Sequence, residues 1–246
     1  MRNTEVLLLH GLFEHKGRHK INADWFDKLG IKSHLIDLPG HGSDAKKKGD
    51  IDSWVENDNA VINGFQNIQS AEKKILFGHS YGGLVATNAV LKEIVKPDYL
   101  ILTAPLFEDN YPKFIRNLSG PLSKIAPNFR SFSPVTKKNI STDKSVGEDY
   151  FKDPLVFRSL TFRLGYAITQ VQDFVNENIG NLNIPTIVLH GKEDTIVPIS
   201  GCKNISKLEN VTFVEIDNSK HEILNQDTRP FVLSEIHQWL KENKII

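Results

Sequence analysis

Cysteine occurs once, at Cys202, in a chain of 246 residues. A lone thiol forms no intrachain disulfide, and a structural zinc site built from cysteines is excluded. This usage suits a reducing compartment, so the expected location is cytoplasmic. An excess of one charge is also missing: 30 basic residues balance 30 acidic ones. A nucleic-acid-binding face needs a basic excess, so no nucleic-acid partner is expected. Lys46, Lys47 and Lys48 form the only notable basic run and read as a solvated loop. No apolar run approaches the roughly 18 residues of a membrane span. Val6 to Leu9 is too short for the core of a signal peptide and leads directly into a motif that carries chemistry. Repeats and low-complexity tracts are absent. What remains is ordinary: 39% hydrophobic and 24% charged residues, enough for a full core. An open α/β fold uses this length as a single unit.

Short apolar runs alternate with longer helical patterns. Val6-Leu7-Leu8-Leu9, Ser33 to Ile36, Lys74 to Phe77 and Tyr99 to Leu102 read as strands. Trp25, Phe26 and Leu29 have helical spacing. Trp54, Val55, Ile62 and Phe65 suggest one face of a helix starting near Asp50 or Asp52. Leu84 to Ile94 reads as a helix stopped by Pro97. The alternation breaks between about Leu106 and Asn183, where Pro112, Pro121, Pro127, Pro134 and Pro154 punctuate helical fragments. It resumes with strands at Thr186 to Leu189 and Thr212 to Ile216 and a helix at Phe231 to Leu240. This pattern predicts an α/β fold: a mainly parallel sheet of about six strands flanked by helices. Residues 1–105 and 184–246 form the expected core. Residues 106–183 are too long for a plain loop and read as a helical cap or lid over the C-terminal strand ends, where such sheets bind ligands.

Gly78-His79-Ser80-Tyr81-Gly82 lies between an expected strand and an expected helix. That is the context of a nucleophile elbow, with small residues on both sides of a strained serine. A serine hydroxyl needs a base to become a nucleophile. The order Ser, Asp, His points to Asp194, after the strand 186–189, and His221, after the strand 212–216. Glu193 is the alternative acid. Among nine histidines only His221 follows a strand and an acid in that order. His10 and His190 end strands before glycine, where a ring can cap the turn. His15 and His19 have i, i+4 spacing but no accompanying acidic helix motif, so no metal is assigned. The oxyanion hole is assigned to the backbone N–H groups of Tyr81, which follows the nucleophile, and Leu12, in the loop after the first strand.

These residues resemble the α/β-hydrolase fold superfamily, and more closely its monoacylglycerol lipase and lysophospholipase-like branch. The resemblance rests on His10-Gly11-Leu12-Phe13-Glu14-His15-Lys16-Gly17-Arg18, Asp37-Leu38-Pro39-Gly40-His41-Gly42-Ser43, and Gly78 to Gly83. It continues through Asp153-Pro154-Leu155-Val156, Gly191 to Asp194 with Val197-Pro198, and His221-Glu222-Ile223-Leu224-Asn225. It implies a cofactor-independent serine hydrolase that cleaves monoacylglycerols, lysophospholipids or small acyl esters through an acyl-enzyme on Ser80. The triad carries over to Ser80, Asp194 and His221, the oxyanion hole to Leu12 and Tyr81, and a loop-ordering role to Glu14, His15 and Arg18. Two departures stand out. His10 comes almost at the start, where relatives carry further edge strands, and His19 replaces a common Tyr.

Phe13, Phe107, Phe114, Leu118, Phe157 and Val197 are the candidate substrate-binding residues, with Phe129, Phe132 and Phe162 as further aromatics of the cap. For the cap residues among these, packing of the cap against the main sheet is the alternative. Exposed apolar faces on a cap also suit transient contact with a membrane surface. Two other functions fit the same triad: hydrolysis of C–C or amide bonds, and a ligand receptor with slow turnover.

Overall fold

The computed structural model describes residues 3–111 and 113–246. Arg2 and Pro112 lie outside the described residues. Six parallel strands build the main sheet: β1 (Thr4–Leu9), β2 (Ile31–Ile36), β3 (Lys73–His79), β4 (Tyr99–Thr103), β7 (Thr186–Gly191) and β8 (Val211–Ile216). Their spatial order is β2-β1-β3-β4-β7-β8.

The apolar runs explain why the strands are central. Successive side chains point to opposite faces, and a strand buried on both faces must be apolar throughout. Leu7 and Leu9 of β1 enter one core cluster, whereas Val6 and Leu8 enter the other. Ile75 and Phe77 of β3 likewise part from Leu76. The first cluster is covered by α2 (Val55–Gln66), α3 (Tyr81–Leu91) and α7 (Phe162–Asn178). The second is covered by α1 (Lys20–Lys28) and α8 (Arg229–Glu242).

From β1 the chain first adds β2 on one side and then β3 on the other, so β1 and β3 flank the switch point of the sheet. A crevice opens at the C-terminal ends of strands at such a point.

Between β4 and β7 the chain leaves the sheet. It forms α4 (Lys113–Ile125), β5 (Arg130–Phe132), α5 (Lys137–Ile140), α6 (Lys144–Lys152), β6 (Ser159–Thr161) and then α7. β5 and β6 pair antiparallel in a small second sheet that no sequence pattern announces. α7 is not separate from the main core: Leu164, Ile168, Val171 and Val175 pack within the first cluster.

α2 starts at Val55, later than the spacing predicts, because Glu56 Oε1 accepts from Asp52 N at 2.5 Å and from Ser53 N at 3.2 Å. Residues 52–54 are therefore the entry to the helix, not its first turn. Among the described residues no helix is long and apolar enough to cross a membrane.

Candidate active site

Four loops meet at the C-terminal edge of the sheet. They follow β1, β3, β7 and β8, and they carry Leu12, Ser80, Asp194 and His221. The turn after β3 is as tight as the glycine pattern implies. Ser80 has φ = +51°, a region that costs a non-glycine residue of order 1–3 kcal/mol. A Cβ at Gly78 would sit 2.5 Å from Gly82 O, and one at Gly82 would sit 2.4 Å from Leu9 O. Only glycine fits at either place.

The strained turn presents the Ser80 hydroxyl to His221. Ser80 Oγ lies 3.0 Å from His221 Nε2, and His221 Nδ1–H donates to Asp194 Oδ2 at 2.7 Å. Asp194 is held on its other oxygen by Ile196 N and Val197 N, both at 2.9 Å. Glu193, the alternative acid, points to solvent.

The electrostatics follow from this geometry. Burial acts against the charge on Asp194, but His221 and His190 outweigh it and hold the carboxyl well below the usual range. Burial also opposes protonation of His221, yet the charge and hydrogen bond of Asp194 prevail and raise its pKa above the ordinary imidazole value. The arrangement places an ionised acid and an imidazole in line with a serine hydroxyl.

The first helical N–H groups of α3, beginning at Tyr81, have no partner within the helix and lie beside Ser80. The Tyr81 side chain is buried below them, and its hydroxyl accepts from Asn57 Nδ2 at 2.8 Å. The loop after β1 is shaped by Glu14, whose Oε1 accepts from Gly11 N at 2.5 Å. Arg18 joins this loop to the histidine loop. Its Nε donates to Glu14 Oε2 at 2.9 Å and its Nη2 to Glu222 Oε2 at 3.2 Å. Burial disfavours the charge on Glu14, but His19 and Arg18 keep its pKa low.

Glu222 directly follows the expected base, and no pattern in the sequence assigns it a role. His15 and His19 do separate work: His15 bonds Asp153 Oδ2 at 2.8 Å and His19 bonds Glu14 Oε1 at 2.9 Å. His10 does cap its turn, with Nδ1–H donating to Gly11 O at 2.7 Å and Nε2 accepting from Leu38 N at 2.9 Å.

A cavity of about 60 Å³ adjoins Ser80 and His221, with Leu12, Phe13 and Val197 in its wall. A second of about 170 Å³ runs from Leu12 and Phe13 toward α4 and α7, past Leu122, Val135, Leu160 and Ile168. The two share Leu12, Phe13, Leu106, Val135 and Ile196 in their walls, so they lie side by side. A wider cleft, about 750 Å³, lies along residues 35–52 and touches none of Ser80, Asp194 and His221.

The structure brings some of the candidate substrate contacts to the cavity and leaves others away from it. Phe13 and Val197 line the cavity, and so does Phe162. Phe107 is 1% exposed and packs in the core instead. Phe157 stands behind the cavity wall, edge-on to Phe13 at 5.5 Å. Phe114 and Leu118 are 64% and 50% exposed on the outer side of α4, as are Phe129 and Phe132 beyond it. The helix turns Leu122 inward in their place.

Comparison with known proteins agrees with this architecture. The family model Hydrolase_4, described as serine aminopeptidase, S33, matches residues 2–228. A monoacylglycerol lipase of Mycolicibacterium smegmatis is 24% identical over 96% of this chain and 87% of that protein. A monoglyceride lipase homolog of Monkeypox virus is 27% identical over 96% of this chain and 88% of that protein. The crystal structure of Paleococcus ferrophilus monoacylglycerol lipase superposes with a TM-score of 0.88 at 24% identity, covering 97% of this chain and 96% of that one. The last likeness shows a common α/β-hydrolase fold.

Proposed function

The chain belongs to the Hydrolase_4 family, and on that premise we propose that it is a carboxylic ester hydrolase, that Ser80, His221 and Asp194 are its catalytic triad and that it cleaves monoacylglycerols, lysophospholipids or small acyl esters. The observation that carries this reading is the unbroken chain of contacts from Ser80 Oγ through His221 to Asp194.

His221 Nε2 takes the proton of Ser80 as Oγ bonds to the ester carbonyl carbon. The N–H groups of Leu12 and Tyr81 receive the negative charge that builds on the carbonyl oxygen. Collapse of this adduct breaks the C–O bond, and the proton on His221 passes to the departing alcohol. A water molecule then gives a proton to His221 as its oxygen bonds to the acyl carbonyl carbon; collapse of this second adduct breaks the bond to Ser80 Oγ, which takes the proton back from His221 as the acid leaves.

In this reading residues 106–183 are a cap on a core of residues 1–105 and 184–246. The acyl chain enters past Phe13 and Val197 and lies against Leu122, Leu160 and Ile168. Phe114, Leu118 and Ile125 face outward, where an apolar ridge suits transient contact with a lipid surface. The expected setting is the cytoplasm.

Amide hydrolysis is the second reading, favoured by the description of the matching family. An aminopeptidase must receive a charged amino terminus. The buried acids in the cavity wall, Glu14 and Glu222, are already bonded by Arg18, which favours the ester.

The test is hydrolysis of p-nitrophenyl esters from acetyl to long acyl chains, together with monoacylglycerol and an aminoacyl anilide. Turnover on esters, reduced at least about a thousandfold in Ser80→Ala, is the expected result. Turnover on the anilide alone favours the amide reading. No turnover on any substrate by folded protein favours the receptor.

A further inference from the structure

A second buried histidine reaches the same carboxylate oxygen as His221. His190, at the end of β7, is 0% exposed. Its Nε2 lies 3.0 Å from Val197 O and 3.4 Å from Asp194 Oδ2. Both neighbours only accept, so Nε2 carries a hydrogen. The shorter contact is a hydrogen bond. The longer one is mainly electrostatic. The other ring nitrogen, Nδ1, lies 3.5 Å from Sγ of Cys202, which is itself buried. A thiol satisfies Nδ1 in either state: its S–H donates to a bare nitrogen, and its sulfur accepts from an N–H.

We propose that His190 is a positioning residue that braces the loop of Asp194 and tempers the basicity of His221 through the shared Asp194 oxygen, with Cys202 holding the His190 ring in place. The proposal rests on the triad reading given above.

Two effects act in the same direction. A carboxylate oxygen that serves two N–H groups attracts each less strongly than it would attract one. Any positive charge on His190 also repels a proton on His221. Burial works to strip His190 of charge, but its bonds to Asp194 and Cys202 outweigh burial and raise its pKa to about 10. His221 therefore holds its proton less tightly than Asp194 alone would dictate. The other groups facing His221 are Ser80, His79 with its ring centroid 5.1 Å away, and Glu222, which pairs with Arg18 and still favours the protonated His221 ring. The variants below alter none of these.

The experiment titrates His221 by NMR in the intact chain and compares wild type, His190→Leu, Cys202→Ala and Cys202→Ser. NMR needs no turnover, so an absence of esterase activity would defeat the triad reading without obscuring this result. In His190→Leu the titration is expected to move to higher pH by about one unit. The acid limb of kcat/KM should move with it, since that limb reports the base in the free enzyme. Cys202→Ala should move it the same way by a smaller amount. Cys202→Ser, whose hydroxyl also donates or accepts, should restore the wild-type titration. An unmoved His221 titration in folded His190→Leu would overturn the proposal, because a merely structural histidine lowers stability without moving that titration. If His190→Leu does not fold, the cysteine variants decide: equal titrations in Ala, Ser and wild type overturn it.

Discussion

Individual atoms decide how much freedom the elbow has. The Gly82 Cα faces the carbonyls of Leu9 and His10, which a Cβ would approach to 2.4 and 2.5 Å. Both are backbone atoms of a central strand end and cannot swing aside. Gly82→Ala should therefore destabilise the fold by at least about 1–3 kcal/mol, the range for overpacked cores, as read from urea denaturation. An unchanged midpoint would mean that the turn relaxes. The base is equally constrained. Asp194 raises the His221 pKa above 6.5 despite burial, so the imidazole is lost as a base at a higher pH than a free histidine. The acid limb of kcat/KM should fall above pH 6.5, and a limb below 6 would count against His221. Ser80 and His221 are legible as a candidate nucleophile and base because such a pair must stand in a given order at strand ends. His190 was visible only as a turn cap. Its distance to Asp194 arises when the loop 191–198 folds back on the strand.

Elements carry a second kind of information, the phase of a helix against its neighbours. The spacing of Phe114, Leu118, Leu122 and Ile125 shows that α4 has an apolar side. It does not show how much of that side is covered. In the structure Leu122 meets the cavity, and Phe114, Leu118 and Ile125 do not. A ridge of this kind on a helix that also carries Lys124 suits a lipid surface. Leu118→Glu should then reduce cosedimentation with phospholipid vesicles several-fold, while turnover on a water-soluble ester stays within about twofold. Loss of both activities together would mean that Leu118 supports the cavity instead. The small sheet of β5 and β6 escaped the sequence reading for a related reason. Strands of three residues are too short to show a period, and their pairing joins Arg130 to Thr161 across the two intervening helices.

Across the whole molecule the histidines set the response to acid. Burial, partly offset by nearby acids, lowers the pKa of His10 to about 4 and that of His79 to about 4, and burial lowers His41 to about 3. The unfolded chain binds protons at these rings near pH 6.5, whereas the folded chain does not. Their contribution to stability is present above 6.5 and shrinks as pH falls toward these folded values, by up to about 1.4 kcal/mol per ring and pH unit. His190 and His221 behave in the opposite sense. Their raised pKa values add stability below 6.5 that is lost as pH rises through the folded values. The melting temperature should therefore peak near pH 6.5 and decline on both sides, as calorimetry across pH 4–9 would read. A flat profile down to pH 4 would show that the buried rings are not held neutral.

The order of Ser80, Asp194 and His221, the glycines around the elbow and the alternation of apolar strands with helices are enough by themselves to read the sheet and to place these three residues at one edge of it. These features are local: a strand has a period of two, a helix a period near 3.6, and a tight turn demands small residues wherever it occurs. Tertiary structure alone decided which phenylalanines reach the cavity. It also decided that Arg18 bridges to Glu222 across 204 residues of chain and that His190 shares the acid of His221. Such contacts depend on how far each element is rotated and shifted when two cores close on one sheet. No local pattern carries that rotation, because it is set by the packing of side chains that come from distant parts of the chain.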